Sequence, residues 1–417
     1  MNIQNIKKKL RDIFPKTYRF LASNKNLIIA KIDLGLSKQI HKKNNFAKVM
    51  SQLEGNKFCI KTIAEESVAS IRVPKIHNVT HESSESIKMR FIAIKVYKFT
   101  GVYQAKDSDI IYFPNNALAF WHKSYMRFHG KEMHSDSMLN SYDELSNVLD
   151  IKEYNDLEIV SVENGISLLG VGSENITHFV IEFIPKLFIY LNLNLNLNSS
   201  NNYKLLISDE LDGQQEEILN HLIAPHKNIT LQTINRHQVA SCKHLIYCSA
   251  VSYICNNASY THITDIIIPA YTRKLIHKFY QKTFVVKRTA PRKLYLSREF
   301  RSLKNNKEVE DIFIRKGYEI IKNSHLLPLK DKINMFGNAS HIAGPGGSAF
   351  IFTFFSRNKC EINRFYNFPR AFDTLGQQII DSFPTKQFSL KVFIGIHESK
   401  SDINCDYRMK IEDINQI

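Results

Sequence analysis

The residues best suited to acid–base chemistry lie on one predicted helix. His178 and Glu182 are four residues apart, which places them on the same helix face, and Asn175 lies three residues before His178 on that face. The unperturbed pKa of histidine, about 6.5, suits a general base that removes a proton from a hydroxyl group. Glu182 would orient the imidazole and raise its basicity. The alternative is a polar stripe on a helix whose apolar residues pack into the core.

A glycine-rich segment lies between a predicted strand and a predicted helix. Three of the 15 glycines, Gly344, Gly346 and Gly347, fall within four residues and are followed by Ser348. Small residues let a backbone approach an anion, and the N–H groups at a helix N-terminus stabilise its charge. Taken alone, such a segment is more often a tight connection, since it is neither GxGxxG nor a Walker A loop. Arg298 ends the first strand of the same unit, and a guanidinium facing the glycines would suit a diphosphate.

The elements that position these residues follow from hydrophobic periodicity. Predicted helices and strands alternate over residues 166–283, including a helix over Gly213–Ile223, which indicates a parallel sheet. A second α/β unit begins at Arg292 and includes a strand over Cys360–Ile362, whereas residues 21–165 are rich in short β-branched segments. We therefore predict an α/β fold with four parts: a basic segment 1–20, an N-terminal domain 21–283 (β-rich 21–165, α/β 166–283), a Rossmann-like domain 292–395 and a tail 396–417.

Composition limits the class of protein. The 417 residues carry 56 Lys+Arg against 40 Asp+Glu, a formal net charge of +16, and 43% of them are hydrophobic. This balance is ordinary for a globular chain of two or three domains. No run of about 18 uncharged apolar residues occurs, so we expect no transmembrane helix. The positive charge indicates an anionic partner: nucleic acid, a phosphorylated metabolite or a membrane surface.

Several short motifs occur in one order between about residues 170 and 365. They are Lys293-Leu294-Tyr295-Leu296-Ser297-Arg298, Asn305–Val309, Gly317-Tyr318-Glu319, Gly344-Pro345-Gly346-Gly347-Ser348 and Glu361-Ile362, with Asn175, His178, Glu182 and Pro185 upstream. This combination resembles glycosyltransferase family 61, the family of bacterial capsular-polysaccharide transferases. The resemblance implies a GT-B-like pair of Rossmann-like domains with a β-rich N-terminal region. It also implies an inverting enzyme of hexosyl- or pentosyltransferase type that needs no metal or other cofactor.

The resemblance assigns roles to residues at both ends of the matched region. Ser297, Arg298 and the segment Gly344–Ser348 would hold the diphosphate of a nucleotide sugar, and Glu361, at the end of the following strand, would bind the ribose. His178 would be the base with Glu182 beside it, and Asn175 would contact the acceptor or support the helix.

Departures from the family pattern leave a second function open. Gly346 stands where the family often has His, Phe352 where it often has Asn, and Asn306 where a Glu commonly follows the Asn matching Asn305. The leading prediction is transfer of a sugar to a cell-surface glycan or glycolipid, in capsule or lipopolysaccharide synthesis. The alternative is a non-catalytic carbohydrate-binding or assembly protein on a transferase scaffold.

Three other groups of residues allow a functional interpretation. Asp107-Ser108-Asp109 is a DxD sequence, the metal-binding signature of the other large transferase fold, but its position before the predicted strand Ile110–Phe113 favours a turn. The aromatic residues among Phe120–His129, which include the single Trp, would either stack on an acceptor sugar or pack in the core. The remaining group lacks the spacing of a zinc site; it consists of Cys242, His244, Cys248 and Cys255.

Much of the positive charge lies near the N-terminus. Residues 1–50 hold twelve Lys+Arg and two Asp, and Ile3, Ile6 and Leu10 follow helical spacing. Such a basic amphipathic helix either lies on an anionic membrane or docks on the protein's own core. Because no nucleic-acid module is present, we expect no nucleic-acid partner. The absence of a secretory pattern and the scattered cysteines predict a cytoplasmic protein, with the inner face of the bacterial membrane as a site of peripheral contact.

Overall fold

The structure is a computed structural model, and it describes sixteen segments of the chain. They are residues 46–48, 57–72, 86–91, 93–113, 117–119, 139–143, 148–151, 157–192, 201–254, 266–299, 303–357, 359–366, 376–378, 381, 388–396 and 406–417. The predicted basic N-terminal helix and the aromatic group 120–129 lie outside the described residues.

Strands account for much of the described chain. In chain order they are β1 (Phe46–Lys48), β2 (Cys59–Ala64), β3 (Ser67–Arg72), β4 (Ser86–Phe91), β5 (Ile94–Ala105), β6 (Ile110–Tyr112), β7 (Ala117–Ala119), β8 (Leu139–Asp143), β9 (Val148–Ile151), β10 (Glu158–Ser167), β11 (Tyr203–Ser208), β12 (Ile229–Ile234), β13 (Gln238–Cys248), β14 (Tyr253–Ile254), β15 (Ile266–Ile267), β16 (Arg292–Leu296), β17 (Glu319–Ile321), β18 (Ala339–Pro345), β19 (Cys360–Tyr366) and β20 (Phe388–Ile394).

Helices of three kinds join these strands. The α-helices are α1 (Ile176–His178), α2 (Ile184–Asn192), α3 (Gly213–Ile223), α4 (Ala270–Thr283), α5 (Asn306–Arg315), α6 (Leu329–Gly337) and α7 (Ile411–Asn415). A π-helical turn over Phe179–Phe183 joins α1 to α2, and 3₁₀ helices form at Ser324–Leu326 and Ser348–Phe355. None of these described helices has the length and apolar character needed to span a membrane. The predicted α/β character is confirmed, and the helix over Gly213–Ile223 has the predicted bounds.

The first large sheet combines the two parts of the predicted N-terminal domain. Its strand order is β12-β11-β10-β13-β5-β6-β7, with β2 also paired to β5. Strands β10 to β13 are mutually parallel, as the alternation of helices and strands predicts. The strands from the β-rich region add to this sheet in antiparallel orientation. The sheet is therefore mixed rather than parallel throughout.

The long strands of this sheet bend back on themselves. Only residues 235–237 separate β12 from β13, although the two strands run parallel in one sheet. The N–H of Glu158, the first residue of β10, donates to the carbonyl of His237, and Lys106, just after β5, binds Asp209 and Glu210, just after β11. These contacts place the turn at residues 106–109 at the carboxyl edge of the parallel strands.

The second large sheet is parallel throughout, with strand order β17-β16-β18-β19-β20. This is the 2-1-3-4-5 order of a doubly wound fold, which binds ligands where the order reverses, between its first and third strands. Here those strands are β16 and β18. One face packs against α5 and against residues of the segment 406–417, notably Tyr407, Met409 and Ile414.

The other face of the second sheet shares a hydrophobic core with the first sheet. Leu296 and Ile342 belong to the same buried cluster as Ile166 and Leu205. The aromatic ring of Tyr280 in α4 packs on Phe355 of the 3₁₀ helix, with centroids 4.9 Å apart. Burial of these apolar surfaces holds the two sheets together and brings their loops close to each other.

Candidate active site

The candidate base lies on a helix with a wide turn. Asn175 caps the helix, since its side-chain oxygen accepts the Thr177 N–H at 2.9 Å. Pro185 has no N–H to donate to the carbonyl of Ile181, and the hydroxyl of Ser252 donates to that carbonyl instead, at 2.7 Å. A residue without a backbone N–H donor inside a helix is a recognised cause of a wider helical turn. Such π-helical turns occur often at functional sites.

His178 and Glu182 form the pair that their spacing predicts. The distance between His178 Nδ1 and Glu182 Oε2 is 2.5 Å, and the imidazole is 3% exposed. The other carboxylate oxygen of Glu182 accepts the Ile254 N–H at 3.2 Å, which fixes the carboxylate. An ionised carboxylate only accepts hydrogen bonds, so Nδ1 carries the proton of a neutral imidazole and Nε2 carries the lone pair. The pair therefore has the geometry of an oriented base.

The ring of His178 rests on a glycine. A Cβ atom added to Gly172 would lie 3.1 Å from the imidazole, and Gly172 has a φ of +80°, in the region that favours glycine. This glycine belongs to the loop that follows β10. The loop backbone at Gly172 therefore packs against the imidazole ring of His178.

The glycine segment and Arg298 meet between β16 and β18, as the sequence predicts. The guanidinium of Arg298 donates from Nη1 to the carbonyl of Gly346, and a Cβ added to Gly347 would lie 2.7 Å from the same nitrogen. Gly344, with a φ of +146°, packs directly on the backbone of Leu296. The approach at Gly344 requires a residue without a side chain, whereas a methyl group at Gly347 would displace the end of Arg298. The result is a fixed cation beside a glycine backbone at the topological switch point of the sheet.

Two details of the glycine segment differ from the predicted loop. The N–H of Gly346 donates to the carbonyl of Phe365 at 2.8 Å, so this N–H is part of the sheet. The helix that follows, Ser348–Phe355, is a 3₁₀ helix rather than an α-helix. The first N–H groups of any helix lack acceptors within it. The anion-binding capacity of the segment therefore lies at Gly347 and Ser348, beside Arg298.

The side chain of Ser297, a predicted donor contact, makes hydrogen bonds within the protein. Its hydroxyl donates to Glu310 at 2.6 Å, and the amide of Asn306 donates to both Ser297 Oγ and Glu310. These three side chains fasten α5 to the end of β16. Asn306, which departs from the family pattern, therefore helps to hold α5 against the end of β16.

Glu361 lies at the wrong end of its strand for the predicted ribose contact. In the parallel ladder Glu361 pairs with His341, and Phe365 pairs with Pro345 of the glycine segment. Four residues of strand place Glu361 about 13 Å from that edge. Burial would raise the pKa of Glu361, but hydrogen bonds from Lys391 (2.8 Å) and Asn363 outweigh it and lower the pKa. The prediction that Glu361 ends its strand is wrong, since β19 continues to Tyr366.

Tyr366 occupies the edge where Glu361 was expected. A Cβ added to Gly346 would lie 2.4 Å from the Tyr366 ring, and the Arg364 guanidinium lies 5.3 Å from the centroid of that ring. An aromatic residue at the end of a buried strand gave no functional signal in the sequence. The structure adds Tyr366 to the wall of the candidate site.

A buried lysine supports the 3₁₀ helix at Phe352. The ammonium of Lys332 in α6 lies 4.9 Å from the centroid of the Phe352 ring, and the side chain is fully buried. It donates to the carbonyl of His325 at 3.3 Å. Burial lowers the pKa of Lys332 to about 8, although Asp212 and Glu217 oppose the shift. Phe352 thus contacts a cation through the face of its ring.

The DxD sequence forms the turn that its position predicts, between β5 and β6. Asp107 lies beside Lys106 and has a φ of +54°. Asp109 instead reaches the loop after β10, where a Cβ added to Gly170 would lie 2.6 Å from Asp109 Oδ1. Sequence reasoning missed this contact with the loop that precedes the helix carrying His178. Within the described residues, no group of three or more His, Cys, Asp and Glu side chains is arranged to hold a metal ion.

A known protein family matches the region that contains this site. Residues 176–363 match the family model described as Glycosyltransferase 61, and this region includes His178, Glu182, Arg298 and the glycine segment. Residues 176–363 are therefore a glycosyltransferase family 61 region, and the protein is a glycosyltransferase. No curated protein sequence matches it. A solved structure that it resembles is the iron-containing dodecameric glycosyltransferase TibC of enterotoxigenic E. coli, with 11% identity, a TM-score of 0.27, and coverage of 60% of this chain and 68% of TibC. At that TM-score the likeness supports neither a shared fold nor a shared activity.

Proposed function

We propose that the protein transfers a sugar with inversion from a nucleotide diphosphate donor to a hydroxyl of a glycan. The observation that carries this proposal is the meeting of two predicted half-sites. The helical turn Ile176–His178, which carries the base, lies against the 3₁₀ helix Ser348–Phe355, which follows the glycine segment. The facing loops of the two sheets would form the donor cleft of a GT-B-like pair of domains.

In this reaction His178 and Arg298 have complementary tasks. Nε2 of His178 takes the proton of the acceptor hydroxyl, and the oxygen's electron pair forms the new bond to the anomeric carbon. The bond from that carbon to the diphosphate breaks, and its electron pair stays on the diphosphate oxygen. Arg298, with the N–H groups of Gly347 and Ser348, stabilises this negative charge. Because a guanidinium stands where the leaving charge develops, we propose that transfer needs no metal.

The acceptor class follows from charge and family. We propose a cell-surface glycan or glycolipid of capsule or lipopolysaccharide type, with a hexosyl or pentosyl donor. The twelve Lys+Arg among residues 1–50 support peripheral contact with an anionic membrane that carries such acceptors. Flotation with vesicles containing anionic lipid, compared for the full chain and a chain lacking residues 1–20, tests this contact. Equal flotation of the two proteins would remove the basic segment from the proposal.

A donor panel tests the proposed reaction. Calorimetry with UDP-, GDP-, ADP- and dTDP-sugars identifies the nucleotide that binds, and Arg298→Met should weaken that binding at least tenfold. Arg288→Met, at an exposed arginine outside the site, is the matched control and should bind as the wild type does. His178→Ala should keep donor affinity and lose turnover, and NMR of the product should show an inverted anomeric centre.

The same panel defines what would contradict the proposal. If no nucleotide sugar binds, or if Arg298→Met binds as tightly as the wild type, the assigned donor site is wrong. Retained turnover in His178→Ala removes the histidine as base. Turnover lost in excess chelator and restored by a divalent cation would overturn the proposed metal-free transfer.

A further inference from the structure

The loop after β10 contacts both Asp109 and His178. Asp109 lies against Gly170 and accepts a hydrogen bond from the N–H of Val171, whereas His178 lies against Gly172. A side chain at Gly170 would collide with the Asp109 carboxylate at 2.6 Å, and its φ of +157° is one that glycine adopts without strain. Three successive residues therefore fix a carboxylate from the β5–β6 turn beside the candidate base.

The surroundings of Asp109 are electrostatically organised. Burial raises the pKa of Asp109, while the positive charge of Lys186 and that of His178, when protonated, oppose the shift, and Glu182 adds to it. Lys186 follows Glu182 by one helical turn and is 5% exposed, with its ammonium 5.0 Å from the ring of Phe183. The charged and titratable groups that act on Asp109 from the neighbouring helix are thus Lys186, Glu182 and His178.

Strand β13 contributes two further titratable groups to this region, and both are neutral. Burial raises the pKa of Cys248 to about 12 and raises that of Tyr247 well above its ordinary value. Tyr247 presents its ring to the Lys186 ammonium at 5.6 Å. These two neutral groups therefore add no charge beside Asp109 and Lys186.

We propose that Asp109 is a positioning residue of the transferase site, which acts with Glu182 to stabilise the imidazolium that His178 becomes when it takes the acceptor proton. This inference rests on the proposed function. The proton moves from the acceptor oxygen to His178 Nε2, and Asp109 takes no proton in this step. Lys186 balances one of the two carboxylates, so that the resting site does not hold an uncompensated pair of negative charges.

Asp107 offers a matched control within the same turn. It is two residues from Asp109, but its carboxylate neighbours Lys106, Glu174, Glu210 and Asp209 rather than the imidazole. Burial and Glu174 raise its pKa to about 6, against the effect of Lys106. Replacing Asp107 therefore removes a carboxylate of the same turn whose largest electrostatic neighbours do not include His178.

The experiment measures the His178 imidazole directly. NMR titration of ring-labelled histidines, with the His178 signal assigned from His178→Gln, gives its pKa in the wild type, Asp109→Asn and Asp107→Asn. We expect Asp109→Asn to lower this pKa by about one pH unit, because an opposite charge near the imidazolium is lost. Asp107→Asn should leave it unchanged. If Asp109→Asn does not fold, Asp109→Ser removes the same charge with a smaller side chain and is judged by the same shift.

Kinetics provide the second readout. With a donor identified by the panel, Asp109→Asn should lower kcat by about ten- to hundredfold, keep donor affinity, and move the acidic limb of the pH–rate profile to lower pH. A purely structural role would change the unfolding midpoint without moving the limb. An unmoved His178 pKa, or an equal shift in Asp107→Asn, overturns the proposal. The NMR titration needs no substrate, so it decides the placement of Asp109 even in a protein without transferase activity. Absence of that activity would refute the proposed function alone.

Discussion

Replacing Lys332 by Met should make the protein more stable at neutral pH. The side chain is fully buried between α6 and the 3₁₀ helix, where its ammonium has one carbonyl acceptor at 3.3 Å and the ring of Phe352. Burial lowers its pKa from 10.5 to about 8. That difference corresponds to about 3 kcal/mol by which the fold disfavours the charged amine. Met keeps the apolar stem and loses a weak hydrogen bond of about 1 kcal/mol, so we expect a net gain of about 2 kcal/mol at pH 7.

The pH dependence of this gain distinguishes burial of charge from ordinary repacking. The folded-state pKa is below the unfolded value, so between about pH 8 and 10.5 the unfolded chain binds more protons at this residue. Wild-type stability should therefore rise through that window by up to about 1.4 kcal/mol per pH unit relative to Lys332→Met. The advantage of the variant should be full below pH 8 and become a disadvantage of about 1 kcal/mol near pH 10.5, because the lost hydrogen bond is then no longer offset.

Urea unfolding of both proteins at pH 7, 8, 9 and 10 measures this difference, because other titrating groups are common to the two chains. Lys330→Met, at an exposed lysine of the same helix, is the control and should show no such pH-dependent difference. The reasoning is refuted if the difference between wild type and Lys332→Met is the same at pH 7 and pH 10. It is also refuted if Lys332→Met is less stable than the wild type at pH 7.

Three further substitutions test the geometry of the site. Gly172→Ala should lower kcat about ten- to hundredfold with donor affinity retained, because a methyl group at φ +80° would press on the His178 ring; steady-state kinetics with calorimetry decide this. Gly347→Ala should weaken donor binding about tenfold with little loss of stability. The extended backbone at this position accepts alanine, and only the end of the Arg298 side chain must move. Gly213→Ala is the control, since a methyl group there would lie in open space. Ser252→Ala should destabilise the protein by about 1–3 kcal/mol in urea titrations by leaving the Ile181 carbonyl without its donor, and an unchanged midpoint would show that this contact contributes nothing.

Local patterns were sufficient to predict the pairings that lie within one element or one strand–loop–helix unit. The spacing of His178 and Glu182 predicts a shared helix face, and the structure joins them. The order of Arg298 and the glycines predicts their meeting at one sheet edge, and Arg298 contacts Gly346. Both predictions need only the periodicity of a helix or the direction of parallel strands.

Predictions failed where buried polar residues hide an element or where distant segments meet. Asn363 and Arg364 are buried in β19, but their polarity interrupts the apolar run and makes the strand seem to end near Glu361. The contact of Asp109 with Gly170 depends on the bend of β5, β10 and β13, which no local pattern encodes. The 3₁₀ form of Ser348–Phe355 also escapes prediction, because its apolar residues fit either helical period.

The π-helical turn at Phe179–Phe183 contains one residue more than a regular α-helical turn. The residues before and after this turn are therefore shifted by one position around the helix axis. In a regular α-helix each residue turns the chain by about 100°, so removing one residue from this turn would restore an uninterrupted helix and rotate α2 by that angle relative to His178. Lys186 and the apolar residues of α2 would then leave the sides on which they now pack. In the shortened helix these side chains could not keep their partners. The extra residue therefore sets the helix rotation at which His178 keeps its position while the apolar residues of α2 pack in the core.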